Sequence, residues 1–413
     1  MNDDEYGTLL LRPLAGEPAG PPLIDVARAI REGRRMRRRR WAFGGAFLAV
    51  FTATLVTGSL LIAPATPHQP VLPPDPPLPK SCTLAALPTG KYHSADVAGG
   101  DSTGRWHFGQ SNPQANTGTQ HTLVWHDGVL VGDAAQPGSE VNLRAVNSSG
   151  VIVGEVNDKT TGIRPYVYRN GKFSALKGGL GEALAINDDG TIVGRLGSDT
   201  HPVLVRWRSA GAEPERLRLP EGSPIAMYNL AIAPDGTVAG VVILPLAPGA
   251  TFAETATYLW LPDGTTRRIT APPPARDTLA ALNPLTFRNG WLYAEQVLSD
   301  RSDNTPVIAG IQLVRYDPAS GTWQKIGGDR FTDGPQLPSS GRGFLHAGTI
   351  RPRVYVGTAV LDLPLTMPLA DPEVDNAMLQ SISDDAHTVT GVLSRGGSGD
   401  PSQPDRPVIW RCG

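Results

Sequence analysis

Eight histidines, two cysteines and eight tryptophans are the side chains with chemistry to offer in this 413-residue chain. His121 and His126 stand five apart in the run His121-Thr122-Leu123-Val124-Trp125-His126. Residues an odd number apart on a strand face opposite ways, so this pair cannot share a metal directly. His107 and His201 fall where sister segments carry non-ligands. Asp188-Asp189-Gly190, Pro234-Asp235-Gly236 and Asp384-Asp385 offer the acids of a calcium loop, but each sits where a tight turn calls for Asp, Asn or Gly. The chain contains no G-x-S-x-G, no H-E-x-x-H and no phosphate-cradling P-loop. No catalytic, cofactor or metal residue is expected. Three tryptophans, Trp106, Trp291 and Trp323, lie outside any repeated register and are the candidate ligand contacts.

The elements that would position these groups come from a repeat. Ala145-Val146-Asn147-Ser148-Ser149-Gly150-Val151-Ile152-Val153-Gly154 returns as Ala185-Ile186-Asn187-Asp188-Asp189-Gly190-Thr191-Ile192-Val193-Gly194 and as Ala231 to Gly240. Looser copies run from Gly100 to Gly109 and from Ile382 to Gly391. Asn-x-x-Gly between apolar runs is a hairpin turn, and the alternating run behind it is a strand. The closing Gly suits a close approach of backbones. A third strand with an aromatic follows each phrase: Trp125, Tyr168, Trp207, Trp260 and Trp410 share one place in it. A repeated aromatic predicts packing between units, not a sugar platform. A fourth strand, such as Lys172–Leu176 or Thr266–Ile269, completes the unit.

Four short antiparallel strands per unit predict an all-β propeller. Seven four-stranded blades fit best, with six or eight as neighbouring counts. Asn289-Gly290-Trp291-Leu292-Tyr293-Ala294 reads as a fifth hairpin and Arg353-Val354-Tyr355-Val356-Gly357 as a sixth. The stretch 270–380 otherwise departs from the pattern.

Cys82 and Cys412 are the only cysteines. Arg406–Gly413 is a third strand that stops where a fourth should start, with Cys412-Gly413 at the place of Asn170-Gly171. The missing strand is Cys82–Pro88. The last blade should therefore be completed by the N-terminal strand, with a Cys82–Cys412 disulfide in place of the absent turn.

Residues 1–40 hold nine Arg and six acids, ending in Arg34, Arg35, Arg37, Arg38, Arg39 and Arg40. Residues 41–63 carry no charge, long enough for one membrane span. The Arg cluster puts the N-terminus in the cytoplasm, resting on anionic lipid, and the rest outside the plasma membrane. A cleaved signal peptide is the rival reading, with Ala63-Pro64-Ala65 as its cleavage cue. Residues 64–80 contain eight Pro and predict a semi-rigid polyproline stalk of roughly 50 Å. Residues 81–413 are the propeller. The tail's net charge of +3 leaves −5 for the rest, which disfavours nucleic acid.

The repeated phrase and its Trp-bearing strand resemble the HAF-repeat family of extracellular bacterial repeats over residues 96–269 and 381–412, although no copy keeps His-Ala-Phe itself. With its anchor and stalk, the chain resembles membrane-anchored actinobacterial propeller proteins. The resemblance implies fold and location, not an activity. The expected function is a non-enzymatic binding or sensing module for an extracytoplasmic protein or cell-wall glycan. Alternatives are a transmembrane regulator whose 1–40 tail engages a cytoplasmic factor such as a sigma factor, and a hydrolase or lyase with its site in the central channel.

Overall fold

A computed structural model of the chain describes residues 74–111, 119–138, 140–198, 202–219, 226–245, 255–272, 278–300, 307–326, 345–346, 352–356, 359–365, 376–394 and 405–413. The tail, the expected span at 41–63, the arginines expected at the lipid surface and residues 64–73 of the stalk lie outside them. Among the described residues no helix is long and apolar enough to cross a membrane.

Strand β1 (Cys82–Ala86) precedes five four-stranded antiparallel sheets, each taking its strands in chain order. The first blade is β2 (Ala95–Gly100), β3 (Trp106–Ser111), β4 (His121–His126) and β5 (Val129–Ala135). The second is β6 (Glu140–Val146), β7 (Ile152–Asp158), β8 (Gly162–Arg169) and β9 (Lys172–Ala175). The third is β10 (Gly181–Ile186), β11 (Ile192–Leu196), β12 (Val203–Trp207) and β13 (Glu215–Arg216). The fourth is β14 (Ala226–Ile232), β15 (Val238–Ile243), β16 (Thr255–Trp260) and β17 (Thr266–Ile269). The fifth is β18 (Thr278–Arg288), β19 (Trp291–Asp300), β20 (Val307–Tyr316) and β21 (Trp323–Lys325).

A three-stranded sheet follows: β22 (Leu345–His346), β23 (Arg353–Val356) and β24 (Ala359–Asp362). The closing blade joins β25 (Asn376–Ile382), β26 (Thr388–Ser394) and β27 (Arg406–Cys412) to β1. Innermost strands touch in succession, β2 to β6, β6 to β10, β10 to β14 and β14 to β18, and β2 also meets β25, so the sheets form a propeller ring.

The closing blade is completed by the chain's N-terminal strand. β1 pairs antiparallel with β27, Cys82 stands opposite Cys412, and the two are disulfide-bonded. The expectation of seven four-stranded blades is corrected. Among the described residues six blades have four strands, and the sheet of β22, β23 and β24 has three.

Arg353–Gly357 is corrected as well. It is a third strand, not a hairpin phrase. Leu363 N donates to Pro352 O at 2.9 Å, as Leu176 N does to Pro165 O at 2.9 Å across β8 and β9. Val-Tyr-Val alternates like a second strand, so periodicity alone could not separate the two places.

The shared aromatic place staples each blade to the one before it. Trp125, Trp207, Trp260 and Trp410 are buried, each in an apolar cluster that spans the junction. Each indole N–H donates to a carbonyl just beyond the preceding fourth strand: Pro88, Lys177, Arg218 and Pro364, at 2.7 to 2.9 Å. Tyr168 and Tyr316 hold the same place in the second and fifth blades, buried against Gly132 and beneath Arg267. A buried indole N–H left unpaired would cost about 1–3 kcal/mol, which explains why this aromatic is tied to a fixed carbonyl.

The Asn of the repeated phrase ties its own turn and the next one. Asn147 Oδ1 accepts from Ser149 N and Val151 N, holding its own turn, and its Nδ2 donates to Asn187 O at 3.2 Å in the next blade. Asn187 repeats this with Thr191 N and with Ala233 O at 3.3 Å. Asp101 and Ser383 hold the equivalent turns in the first and closing blades.

The closing Gly answers a β-bulge. Every four-stranded blade has a register irregularity between its first and second strands. The bulge presses the inner strand's backbone onto the Gly: a Cβ on Gly154 would lie 2.1 Å from Asn142 O, and one on Gly194 2.0 Å from Glu182 O. The fifth blade carries Ala294 at this place, paired with Pro284. Gly154→Ala should therefore cost about 3 kcal/mol of stability, read as a lower urea midpoint. Gly211→Ala, where nothing lies within 4 Å, should leave the midpoint unchanged.

Candidate functional site

Each bulge leaves one inner-strand position unpaired: Ala98, Arg144, Leu184, Leu285 and Gln380, and in the fourth blade both Asn229 and Leu230. In the second, third and fourth blades the last unpaired residue immediately precedes the repeated phrase. Arg144, Leu184, Asn229, Leu230 and Leu285 line an axial cavity of about 170 Å³, with Gly99 and Gly100 of the first blade completing the wall. Most of the lining residues are apolar or small, with Arg144, Asn229 and Thr286 as the polar side chains.

One end of the axis is bridged by the hairpin turns. Ser102 Oγ donates to Asp188 Oδ2 at 3.0 Å, two blades on, and Asp384 N donates to Ser102 O at 2.8 Å. Asn289 Nδ2 donates to Asp384 O at 3.2 Å. The second strands end, and the third strands begin, at the opposite end of the axis.

A belt of polar pairs joins the first and second strands of the first, second, third and fifth blades. Arg144 grips Glu155 through both nitrogens, at 3.2 and 2.7 Å, and Arg195 grips Glu182 likewise, at 3.0 and 2.8 Å. Asn283 Nδ2 donates to Glu295 Oε2 at 3.2 Å, and Asn283 Oδ1 accepts from Asn229 Nδ2. Gln110 N donates to Asp96 Oδ1 at 3.0 Å. Burial pushes the Asp96 carboxyl up to about 6, against the Gln110 hydrogen bonds and with the help of nearby Asp405. Burial also raises Glu155, opposed by Arg144, and Glu295, opposed by Asn283. Glu295 Oε1 is a buried oxygen without a hydrogen-bond partner. Two acids are locked to arginines, so the belt's first property is charge neutralisation.

The three candidate tryptophans form no shared platform. Trp106 packs its ring 4.2 Å from His126 and against Gly150 of the second blade. Trp291 is 8% exposed, beneath the Arg315 guanidinium at 4.2 Å. Trp323 stacks on Tyr316 at 4.5 Å, in a different apolar cluster of the same blade from that of Trp291. Sequence reasoning missed the bulge positions. Their signal was the variable residue immediately before the phrase in the second, third and fourth blades. His107 is buried under the first hairpin, bonded to Gly104 O at 3.0 Å, and burial lowers it to about 4 against the pull of Asp101. Among the described residues no group of three or more His, Cys, Asp or Glu is placed to hold a metal.

The shifts set a pH dependence. Asp96 ionises near 3.8 when unfolded and about 6 when folded, so its contribution is present in acid and is lost as pH rises through about 6. His107 titrates near 6.5 unfolded and about 4 folded, so its contribution is present above 6.5 and is lost as pH falls through about 4. Asp96→Asn should flatten the stability decline between pH 4 and 6.5 by up to about 3 kcal/mol. His107→Phe should steepen it. Urea unfolding across that range checks both signs.

No family model matches the chain, and no curated protein matches it. Among solved structures, the β-propeller domain of the Trilobed protease from Pyrococcus furiosus is 10% identical with a TM-score of 0.49, covering 77% of this chain and 95% of that one. Polysaccharide lyase Uly1 is 11% identical with a TM-score of 0.47, covering 79% and 91%. The tricorn protease is 10% identical with a TM-score of 0.42, covering 81% of this chain, which spans only 36% of the protease chain. At these scores the propeller assignment rests on the strand topology above, and no activity is carried across.

Proposed function

We propose that this chain is a non-enzymatic binding module displayed outside the plasma membrane, with its ligand taken in the axial cavity. In this reading residues 1–40 are cytoplasmic, 41–63 span the membrane and 81–413 face out. The uncharged run behind the Arg cluster supports the anchor, and the disulfide suits an oxidising compartment. The resemblance to HAF repeats points the same way. The observation that carries the binding reading is the cavity itself: a wall drawn from the inner strands of five blades, mostly of apolar and small residues, with Arg144, neutralised by Glu155, in its lining.

A second reading is favoured by one observation, the raised carboxyls of Asp96, Glu155 and Glu295 in the belt of polar pairs. Buried acids of this kind can donate protons in a hydrolase or lyase.

Capture of cell-wall glycans and envelope proteins on the detergent-solubilised chain separates the readings. The binding reading expects a retained component whose binding falls at least ten-fold in Leu184→Trp, which fills the cavity. Retention untouched by Leu184→Trp would move the site off the axis. Turnover of the captured glycan, lost in Glu295→Gln, would replace binding by catalysis.

A further inference from the structure

The described end of the expected stalk is not a free rod. Asp75, within Pro73-Pro74-Asp75-Pro76-Pro77, reaches Arg315 on β20 of the fifth blade. Both Asp75 oxygens are engaged: Arg315 Nη1 donates to Oδ1 and Nη2 to Oδ2, the latter at 2.9 Å. Arg315 itself is prearranged. Its side chain is 5% exposed, its Nε donates to Gln324 Oε1 at 2.9 Å, and its plane lies 4.2 Å over the Trp291 ring. A guanidinium fixed from behind by an amide and from below by an indole offers its remaining edge in the fork geometry that fits a carboxylate.

The segment that fills this edge is unusual. Prolines lack the N–H needed to join a sheet, so Asp75 is held through its side chain. Their fixed φ presents the carboxylate at little conformational cost. Five residues on, Lys80 N and Ser81 N donate to Gly413 O on the closing blade. The segment therefore reaches from the closing blade to the fifth, and in ring order the three-stranded sheet stands between those two.

We propose that Arg315, Trp291 and Gln324 form a carboxylate-binding site for an acidic side chain on a proline-flanked segment, and that Asp75 is its resident ligand in cis. Residues 74–80 are then a strap across the sheet of β22, β23 and β24, and the site becomes available when the strap lifts. Tethering keeps the local ligand concentration in the millimolar range, so an outside segment competes only weakly while Asp75 is in place.

A fluorescent peptide of residues 70–80 tests this by anisotropy against the full-length chain in detergent. Asp75→Asn vacates the site and should bind the peptide at least ten-fold tighter than wild type. A peptide with Asn in place of the Asp should not bind. Arg315→Lys keeps the charge but loses the fork and the stacking, and added to Asp75→Asn it should abolish the gain. Asp75→Glu should restore occupancy and suppress peptide binding, which separates a vacated site from a misfolded chain. Equal peptide binding by wild type and Asp75→Asn, or none by Asp75→Asn, would overturn the proposal.

Discussion

The ring depends on one non-local pairing, the five residues of β1 laid against β27. Most other strand pairs are local, formed between strands that follow one another along the chain. Only this pair joins residues 330 apart, and only it gives the closing blade a fourth strand. The Leu87 side chain just beyond it packs with Val97, Trp125, Val392 and Ile409, so the same segment seals the junction between the closing and first blades. The disulfide sits at the first residue of β1, where a pull from the N-terminus would otherwise start to peel the strand. Constraining so long a loop is worth about 5 kcal/mol in the chain-entropy model.

Within the ring one short phrase does three jobs. Its Asn closes a turn and reaches the next turn, so the hairpins bridge one end of the axis. Its Gly accepts the backbone that a bulge pushes toward it. The bulge in turn frees an inner-strand residue from pairing, and that residue can vary: Ala98, Arg144, Leu184 and Gln380 differ while the turn behind them persists. The structural demand and the freedom to bind thus occupy adjacent positions, which places a variable lining on a uniform scaffold.

Much of this was legible in the residues. The phrase period and the aromatic of the third strand carried the propeller, because each reflects local geometry repeated from blade to blade; the two cysteines carried its closure, because Cys412 stands where the repeat calls for a turn. What escaped depended on long-range contacts. Arg353–Val356 alternates like a second strand, and only the bond from Leu363 N to Pro352 O identifies its place. Trp291 looked available because it lies outside the aromatic register, yet Arg315 covers it. Asp75 looked like one polar residue in a stalk, because composition does not show that a buried arginine 240 residues away lacks a carboxylate. The axial lining was hidden because a bulge breaks the two-residue period that strand patterns rely on.

The central claim is that the N-terminal strand closes the ring. Hydrogen exchange of backbone amides in the native chain, with the Cys82–Cys412 bond intact and then reduced, tests it most directly. Closure by β1 predicts that reduction lowers protection in β27 and along the β2 junction, while β6 to β17 keep theirs. Unchanged protection in β27 and β2 after reduction, with β1 already exchanging freely in the oxidised chain, would contradict it.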